Sequence, residues 1–298
     1  MTPDCKICPT PCVEKLKNGK TTVHGREVLS CKYADKLPEG DLNSIMKELW
    51  DQLIFASESL GLVKPGDSTK NNVRGIWARQ IFGSICWNVC ASNIFVVNSC
   101  IVLLPSISGF DFKKIFESDT ANALSDLSED LSKKGMELSM SNPDFICVSD
   151  IGPDDAIGFR RPISNLSKET QSQLSSAYKV LESKCAFNSL RFGISLKTSY
   201  RSDRRYLVAY EGNVFKVLFA HLQIRYWDRE FRPSYYSVVV GRLNKTDRKV
   251  LSVPATHTIL NLHSPPTRSV DNIFNVKTTS EMQSCIEQMV RDSFHLTQ

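Results

Sequence analysis

The sequence lacks the features that identify repeat proteins, low-complexity chains, secreted proteins and membrane proteins. It contains no internal repeat and no low-complexity tract, and residues 1–30 include no apolar core of a secretory signal. Residues 80–110 carry no charged side chain, but serines and asparagines interrupt this stretch. A membrane span needs about 20 mostly apolar residues. We therefore expect a buried helix followed by a buried strand there, and no membrane partner.

The ten cysteines are many for a chain without a secretory signal, so we expect reduced thiols in the cytoplasm. Cys5, Cys8, Cys12 and Cys31 crowd the N-terminal region, near His24. The spacing of Cys5 and Cys8 suits zinc, but a second CxxC and a paired-histidine turn are both absent. A zinc site and unligated thiols in a polar arm both remain open.

Charge and hydrophobic content set broad limits on the binding partners and on the domain organisation. The net charge of +5 is compatible with a polyanionic partner but does not require one. Its distribution is more informative, because Lys197, Arg201, Arg204 and Arg205 fall within nine residues and are opposed only by Asp203. The hydrophobic content of 41% supports one large core with a small appended domain.

Hydrophobic periodicity and turn residues predict an α/β fold, with a mixed sheet flanked by helices. The predicted helices cover residues 41–61, 73–91, 120–134, 167–183 and 208–227, with a final helix opened by a capping box at Ser280 and Gln283. The predicted strands cover residues 94–104, 137–140, 145–148, 190–199, 235–241 and 250–262.

A turn-rich segment at residues 64–72 is the best candidate for a domain boundary. It separates a Cys-rich arm and small helical N-terminal domain, residues 1–66, from a larger domain, residues 67–298. We expect the larger domain to carry the chemistry, because the charged motifs lie in it.

Three residues have the order expected of a metal-dependent phosphodiesterase. Metal ions held by carboxylates can activate water and relieve phosphate charge, and a nearby lysine can orient the water. Asp144 leads directly into an apolar strand, and Lys197 ends another strand, two residues after Ser195. A carboxylate is expected at position 195, and Glu211 offers a replacement fourteen residues after Lys197. By spacing alone the signal for a nuclease is weak, because a turn aspartate, a surface lysine and a solvated glutamate also explain the pattern.

Longer motifs around these residues are more specific. Residues 40–298 resemble type II restriction endonucleases that cut purine-CCGG-pyrimidine sites, tetrameric enzymes related to NgoMIV and SgrAI. The matching segments are SNPDF at 141–145, SLKTSYRSDRR at 195–205, EGNVFKVLFAHLQIRYW at 211–227, ATHTILNL at 255–262, FDFKKIFE at 110–117 and SVDNIF at 269–274.

The resemblance implies a PD-(D/E)xK restriction-endonuclease-like fold that uses Mg²⁺ to cut double-stranded DNA. It places a metal carboxylate on Asp144, the catalytic lysine on Lys197 and the relocated acid, also a metal ligand, on Glu211. Ser195 takes the vacated acid position.

The family's R-x-D-R element, which reads the inner CCGG, falls on Arg201, Asp203 and Arg204. Arginine can donate two hydrogen bonds to guanine, and aspartate can accept one from cytosine. The resemblance further implies an RCCGGY site cut to leave four-nucleotide 5′ overhangs. It also implies a homodimer or homotetramer, with contacts near Trp227 and around residues 261–262.

One residue departs from the family's pattern. The family carries a glutamate in a W-x-E arrangement that helps hold a second metal, and Arg79 occupies that place. An arginine cannot ligate metal, so a DNA-binding relative with weak or absent cleavage is an alternative, and Arg79→Glu would then restore cutting. A repair-type nuclease, which would lack the R-x-D-R element, is a third possibility.

Overall fold

The structure is a computed structural model that describes most of the chain. The described residues are 12–15, 21–92, 102–105, 111–137, 142–200, 202–228, 230–260 and 265–294, and for residues 102–105, 153, 156, 157, 202 and 203 the backbone alone is described. Cys5, Cys8, Arg201 and the segment 261–262 therefore lie outside the description, as do the predicted strand residues 94–101 and 138–140.

A mixed five-stranded sheet forms the centre of the molecule. Its strands, in sheet order, are β3 (Val102–Pro105), β4 (Phe145–Val148), β5 (Leu190–Lys197), β6 (Ser234–Val240) and β7 (Asn272–Val276). The pairs β3–β4 and β4–β5 are antiparallel, and the pairs β5–β6 and β6–β7 are parallel. A separate hairpin pairs β1 (Val13–Lys15) with β2 (Thr21–Val23). The predicted α/β fold class is confirmed.

Helices cover the sheet and supply the crossovers that parallel strands require. They are α1 (Gly25–Lys32), α2 (Leu42–Ser59), α3 (Asp67–Ala91), α4 (Ser118–Lys133), α5 (Pro153–Ala156), α6 (Lys168–Ser176), α7 (Ser202–Tyr226), α8 (Lys245–Leu251), α9 (Thr256–Ile259) and α10 (Thr279–Ser293). Helix α7 connects β5 to β6, and α8 and α9 lie between β6 and β7. Among the described residues, none of the helices combines the length and apolar composition needed to cross a bilayer.

Local capping explains where several helices begin. Asp41 accepts a hydrogen bond from Ser44 N at 2.8 Å and starts α2, as its sequence predicts. Helix α10 begins two residues earlier than predicted. Its N-cap is Thr278, whose hydroxyl accepts from Glu281 N at 3.1 Å, while Glu281 accepts from Lys277 N. The predicted cap at Ser280 is therefore wrong.

The second half of α3 lies in the core, as the uncharged sequence around it predicts. Trp77, Ile81 and Phe82 are fully buried, and Trp77 Nε1 donates to Gly25 O at 2.8 Å. The first turns of α3, however, occupy residues that were predicted to form a linker. The helix begins at Asp67 rather than 73, so the segment 64–72 is only partly a turn.

The predicted strand at residues 250–262 is wrong over its described part, residues 250–260, which forms the end of α8 and the short helix α9. Helix α8 has a reciprocal capping box between Asn244 and Asp247, which outweighs the β-branched composition that follows. The prediction also missed α1, within the polar arm, and β7. The predicted helix at 167–183 is α6 followed by a 3₁₀ turn, and the one at 208–227 starts six residues earlier as α7.

Candidate active site

Asp144 stands immediately before β4, where two neighbouring elements hold its carboxylate. Pro143 packs against Gly193 of β5, at a point where a side chain on Gly193 would meet Pro143 Cγ at 3.1 Å. Asp144 Oδ2 accepts from Leu196 N at 2.8 Å and from Lys197 Nζ at 3.0 Å. The structure therefore brings Asp144 and Lys197 into direct contact, although they lie 53 residues apart in sequence.

Glu211 approaches the same end of β5 from α7. Its side chain is only 5% exposed, and its Oε2 accepts from the hydroxyl groups of Ser195 at 3.3 Å and Tyr235 at 3.2 Å. Burial, followed by the nearby charges of Glu211 and Asp144, raises the pKa of the Tyr235 hydroxyl well above its usual range. Tyr235 therefore remains protonated and acts as a donor that orients Glu211.

A glycine on α7 allows this approach. A side chain at Gly212 would meet Ser269 O at 2.3 Å and Tyr235 Cδ1 at 2.9 Å. Only a residue without a Cβ lets α7 pass so close to β6 and to the segment before β7. Gly212 therefore determines the distance at which its neighbour Glu211 faces Ser195.

Arg79 completes the cluster from α3. Its Nη2 donates to Asp144 Oδ1 at 2.7 Å, on the carboxylate oxygen that Lys197 does not contact. The Arg79 side chain is 41% exposed, whereas the side chain of Asp144 is 12% exposed. The structure thus places Arg79 at the candidate metal site, where the resemblance positions it.

A cleft of about 640 Å³ opens beside these residues. Its walls come from α3 and from the end of β5 with the start of α7, and they comprise Ser68, Asn71, Asn72, Gly75, Ile76, Ala78, Arg79, Leu196, Lys197, Thr198, Ser199 and Arg204. The wall is predominantly polar or basic, which suits a polyanionic ligand.

The predicted R-x-D-R element is only partly described. Asp203 and Arg204 lie in the first turn of α7, and the Arg204 side chain faces the cleft. Nothing is described for Arg201 or for the side chain of Asp203. The neighbouring Arg205 turns elsewhere and pairs with the buried Asp247 of α8 at 3.3 Å, so it anchors α7 on the fold.

Asp144 and Glu211 are the carboxylates suited to a divalent ion beside this cleft, although neither of them lines it. Their oxygens bond to consecutive positions of β5, since Ser195 contacts Glu211 and Leu196 contacts Asp144. Carboxylate oxygens are the donors that Mg²⁺ prefers. Within the described part of the chain, no cluster of three or more His, Cys, Asp or Glu side chains forms a metal site. Further oxygen ligands would therefore come from water and from a phosphate.

The N-terminal cysteines give no support for zinc within the described residues. Cys12 Sγ lies 3.9 Å from Cys31 Sγ. His24 Nε2 lies 3.4 Å from Glu14 Oε2. The zinc hypothesis depends on Cys5 and Cys8, which lie outside the description, and stays a prediction.

Comparison with known proteins decides the family. The sequence model of the Cfr10I/Bse634I restriction endonucleases matches residues 11–292. The chain belongs to this family. Its members are named type II restriction enzymes, which are site-specific deoxyribonucleases, so this family member is a DNA-cleaving hydrolase of a restriction system. Restriction endonucleases generally depend on a divalent metal ion.

Individual relatives agree with this assignment. The type II restriction enzyme Cfr10I of Citrobacter freundii is 28% identical over 233 residues, which span 76% of this chain and 80% of the relative. The crystal structure of the type IIF restriction endonuclease Bse634I with cognate DNA is 31% identical and has a TM-score of 0.87 over 95% of this chain and 99% of that one. A second Bse634I structure is 30% identical, with a TM-score of 0.87 over 96% and 99%. The alternative of a relative without cleavage is not favoured.

Sequence reasoning missed Tyr235, Gly193 and Gly212, which hold the candidate residues in place. Tyr235 stands in an apolar, β-branched strand, where an aromatic residue gives no sign of a polar role. The two glycines carry a weak signal, because a glycine inside a strand or helix often marks a close approach of another segment.

Proposed function

We propose that this restriction endonuclease cuts double-stranded DNA in a Mg²⁺-dependent reaction at a site with a CCGG core. The proposed site is RCCGGY, with four-nucleotide 5′ overhangs, as the resemblance to endonucleases that cut purine-CCGG-pyrimidine sites implies. The observation that carries the proposal is the arrangement of Asp144, Lys197 and Glu211 around the end of β5.

In this proposal Asp144 and Glu211 hold the metal ion. When bound, Mg²⁺ would supply an activated water and relieve the charge on the phosphate. Lys197 has three N–H donors and shares one with Asp144, which leaves donors for the attacking water or a phosphate oxygen. Ser195 and Tyr235 fix the orientation of the Glu211 carboxylate, because both donate to its Oε2.

The direct test is cleavage of plasmid DNA in the presence of Mg²⁺, followed by sequencing of the ends. We expect ends that map to RCCGGY with four-nucleotide 5′ overhangs. Ends at unrelated sequences would contradict the proposed target, and cutting without any divalent ion would contradict the metal chemistry.

Base reading is assigned to Arg201, Asp203 and Arg204 in this proposal. Arg204 faces the cleft that Lys197 also lines, so a reader at the start of α7 would lie beside the hydrolytic residues. Arginine donors match guanine O6 and N7, and an aspartate acceptor matches cytosine N4. Other basic residues would position the phosphates without reading sequence.

Replacing Asp203 by alanine should separate base reading from backbone binding. A lost contact to cytosine costs roughly 1–3 kcal/mol, so we expect affinity for a CCGG duplex to fall about 5- to 150-fold. Affinity for a random duplex should stay level or rise, because a negative charge is removed. Fluorescence anisotropy with both duplexes at one salt concentration measures the difference.

Asp119→Ala is the matched control for Asp203→Ala. Asp119 is exposed and acidic in the first turn of α4, so its loss changes the net charge and the helix-end electrostatics in the same way. This control should leave the preference for CCGG unchanged. Equal losses on both duplexes for Asp203→Ala would reassign the cluster to phosphate contacts.

We also propose that the chain forms a homodimer or homotetramer and acts in the cytoplasm. Trp227 directly follows α7 in a left-handed backbone conformation and is 81% exposed, and Ile224, one turn earlier, is 76% exposed. Leu260, next to the other segment that the resemblance implicates, is 84% exposed. Large exposed apolar side chains of this kind are typical of contacts between subunits, and analytical ultracentrifugation would measure the assembly.

A further inference from the structure

Arg79 is the one cation of the cluster that comes from outside β5 and α7. Helix α3 carries it into the cleft, where it binds Asp144 Oδ1 at 2.7 Å while Lys197 binds Oδ2 at 3.0 Å. The carboxylate of Asp144 therefore has a cationic side chain on each oxygen. A divalent ion at Asp144 would have the permanent positive charge of Arg79 as its neighbour.

The formal charges of four side chains limit how many divalent ions the site can hold. Asp144 and Glu211 are acidic, and Arg79 and Lys197 are basic, so their formal charges sum to zero. The transition state of phosphodiester hydrolysis carries close to two negative charges, which one divalent ion neutralises. A second ion would leave about two unbalanced positive charges in a half-buried cleft, and such an excess is costly.

The guanidinium group can also take over part of a metal ion's work. It presents five N–H donors in a fixed plane and stays charged at any working pH. Its contact with Asp144 uses a single nitrogen, Nη2, and the side chain is 41% exposed on the cleft wall. Donors therefore remain for a phosphate oxygen, and arginine is well suited to bind phosphate.

We propose that Arg79 serves as a built-in cation in place of a second divalent ion, so that each active site works with one divalent ion. The inference rests on the proposed function, since it assumes that the metal lies at Asp144 and Glu211. In this role Arg79 holds Asp144 before DNA binds and donates to the phosphate beside the scissile bond afterwards.

The test counts Mn²⁺ ions bound to the full-length enzyme in complex with a CCGG duplex that carries a non-hydrolysable methylenephosphonate, with carbon in place of the leaving oxygen, at the scissile position. Electron paramagnetic resonance gives the number of bound ions per active site. We expect one Mn²⁺ for the native chain, two for Arg79→Glu, and one for Arg79→Gln. Two ions in the native complex would overturn the inference.

Single-turnover cleavage of the unmodified duplex with Mg²⁺ provides the second readout. Arg79→Gln should lower the rate about a hundredfold, as expected when one charge-stabilising donor is lost, and Arg79→Lys should recover part of it. Arg74→Gln is the matched control, because Arg74 lies on the same helix and donates to Asn43 outside the cleft. Its rate should stay within about twofold of native. Native-like cleavage by Arg79→Gln would contradict the role of Arg79.

The two readouts separate this inference from the proposed function. A native enzyme that cuts CCGG duplexes with two ions per site would overturn the role of Arg79 alone. A native enzyme that binds no Mn²⁺ in the cleft, or that cuts equally well after Asp144→Asn, would overturn the proposed function together with this inference.

Discussion

Replacing Asp144 by asparagine should lower the rate of DNA cleavage by at least about a thousandfold, which corresponds to roughly 4 kcal/mol of activation free energy. The substitution removes a negative charge from the ion's proposed ligands and leaves Arg79 and Lys197 without their anionic partner. Metal-assisted hydrolysis depends on that charge, whereas base reading uses other residues. Affinity for a CCGG duplex measured without metal should therefore stay level or improve.

The matched control for this prediction is Asp150→Asn. Asp150 follows the other end of β4 and also accepts from an arginine, since Arg191 Nη2 donates to its Oδ2 at 2.7 Å. Its φ of 59° is one that asparagine tolerates well. Single-turnover cleavage by this variant should stay close to native. If Asp144→Asn cuts as fast as the control, the metal ligand has been assigned to the wrong residue.

Replacing Gly212 by alanine should destabilise the protein by about 3 kcal/mol, the upper end of the usual cost of overpacking. The added Cβ would lie 2.3 Å from the backbone oxygen of Ser269 and 2.9 Å from Tyr235, so α7 or the segment before β7 must move. The gain of roughly 1 kcal/mol that alanine brings to a helix offsets only part of this cost. Urea unfolding followed by circular dichroism gives the free energy of unfolding.

Gly75→Ala is the matched control, because it makes the same change inside a long helix. Nothing lies within 4 Å of a Cβ built at Gly75. Alanine there should leave stability unchanged or raise it by up to about 1 kcal/mol. Equal effects at Gly212 and Gly75 would show that the close approach of α7 to β6 is not needed for the fold.

Those parts of the sheet and of the candidate site that depend on strong local patterns can be predicted from the amino-acid sequence. Phe145–Val148 and the segment from Leu190 to Lys197 have strand composition, and both form central strands of the sheet. Asp144 and Lys197 stand at the ends of these strands, and pairing of β4 with β5 brings them together. Strand ends and helix caps are local features, so a single sequence can reveal them.

Other contacts depend on long-range packing that a single sequence does not reveal. The bond from Tyr235 to Glu211 requires that α7 cross β6 at the distance Gly212 allows. The ion pair of Arg79 with Asp144 joins two segments 65 residues apart. The β-branched residues after Val250 are typical of a strand. The capping box that starts α8 lies upstream of this apolar run, so the run itself carries no sign of the helix.

The most direct test of the proposed chemistry is a crystal of the enzyme with a CCGG duplex, soaked with Mn²⁺, with anomalous diffraction used to locate the metal. We predict one anomalous peak per active site, within ligand distance of Asp144 and Glu211 carboxylate oxygens and of the scissile phosphate. Arg79 and Lys197 should lie beside that phosphate. A peak away from both carboxylates, or no peak at all in a crystal whose DNA is cut, would contradict the account.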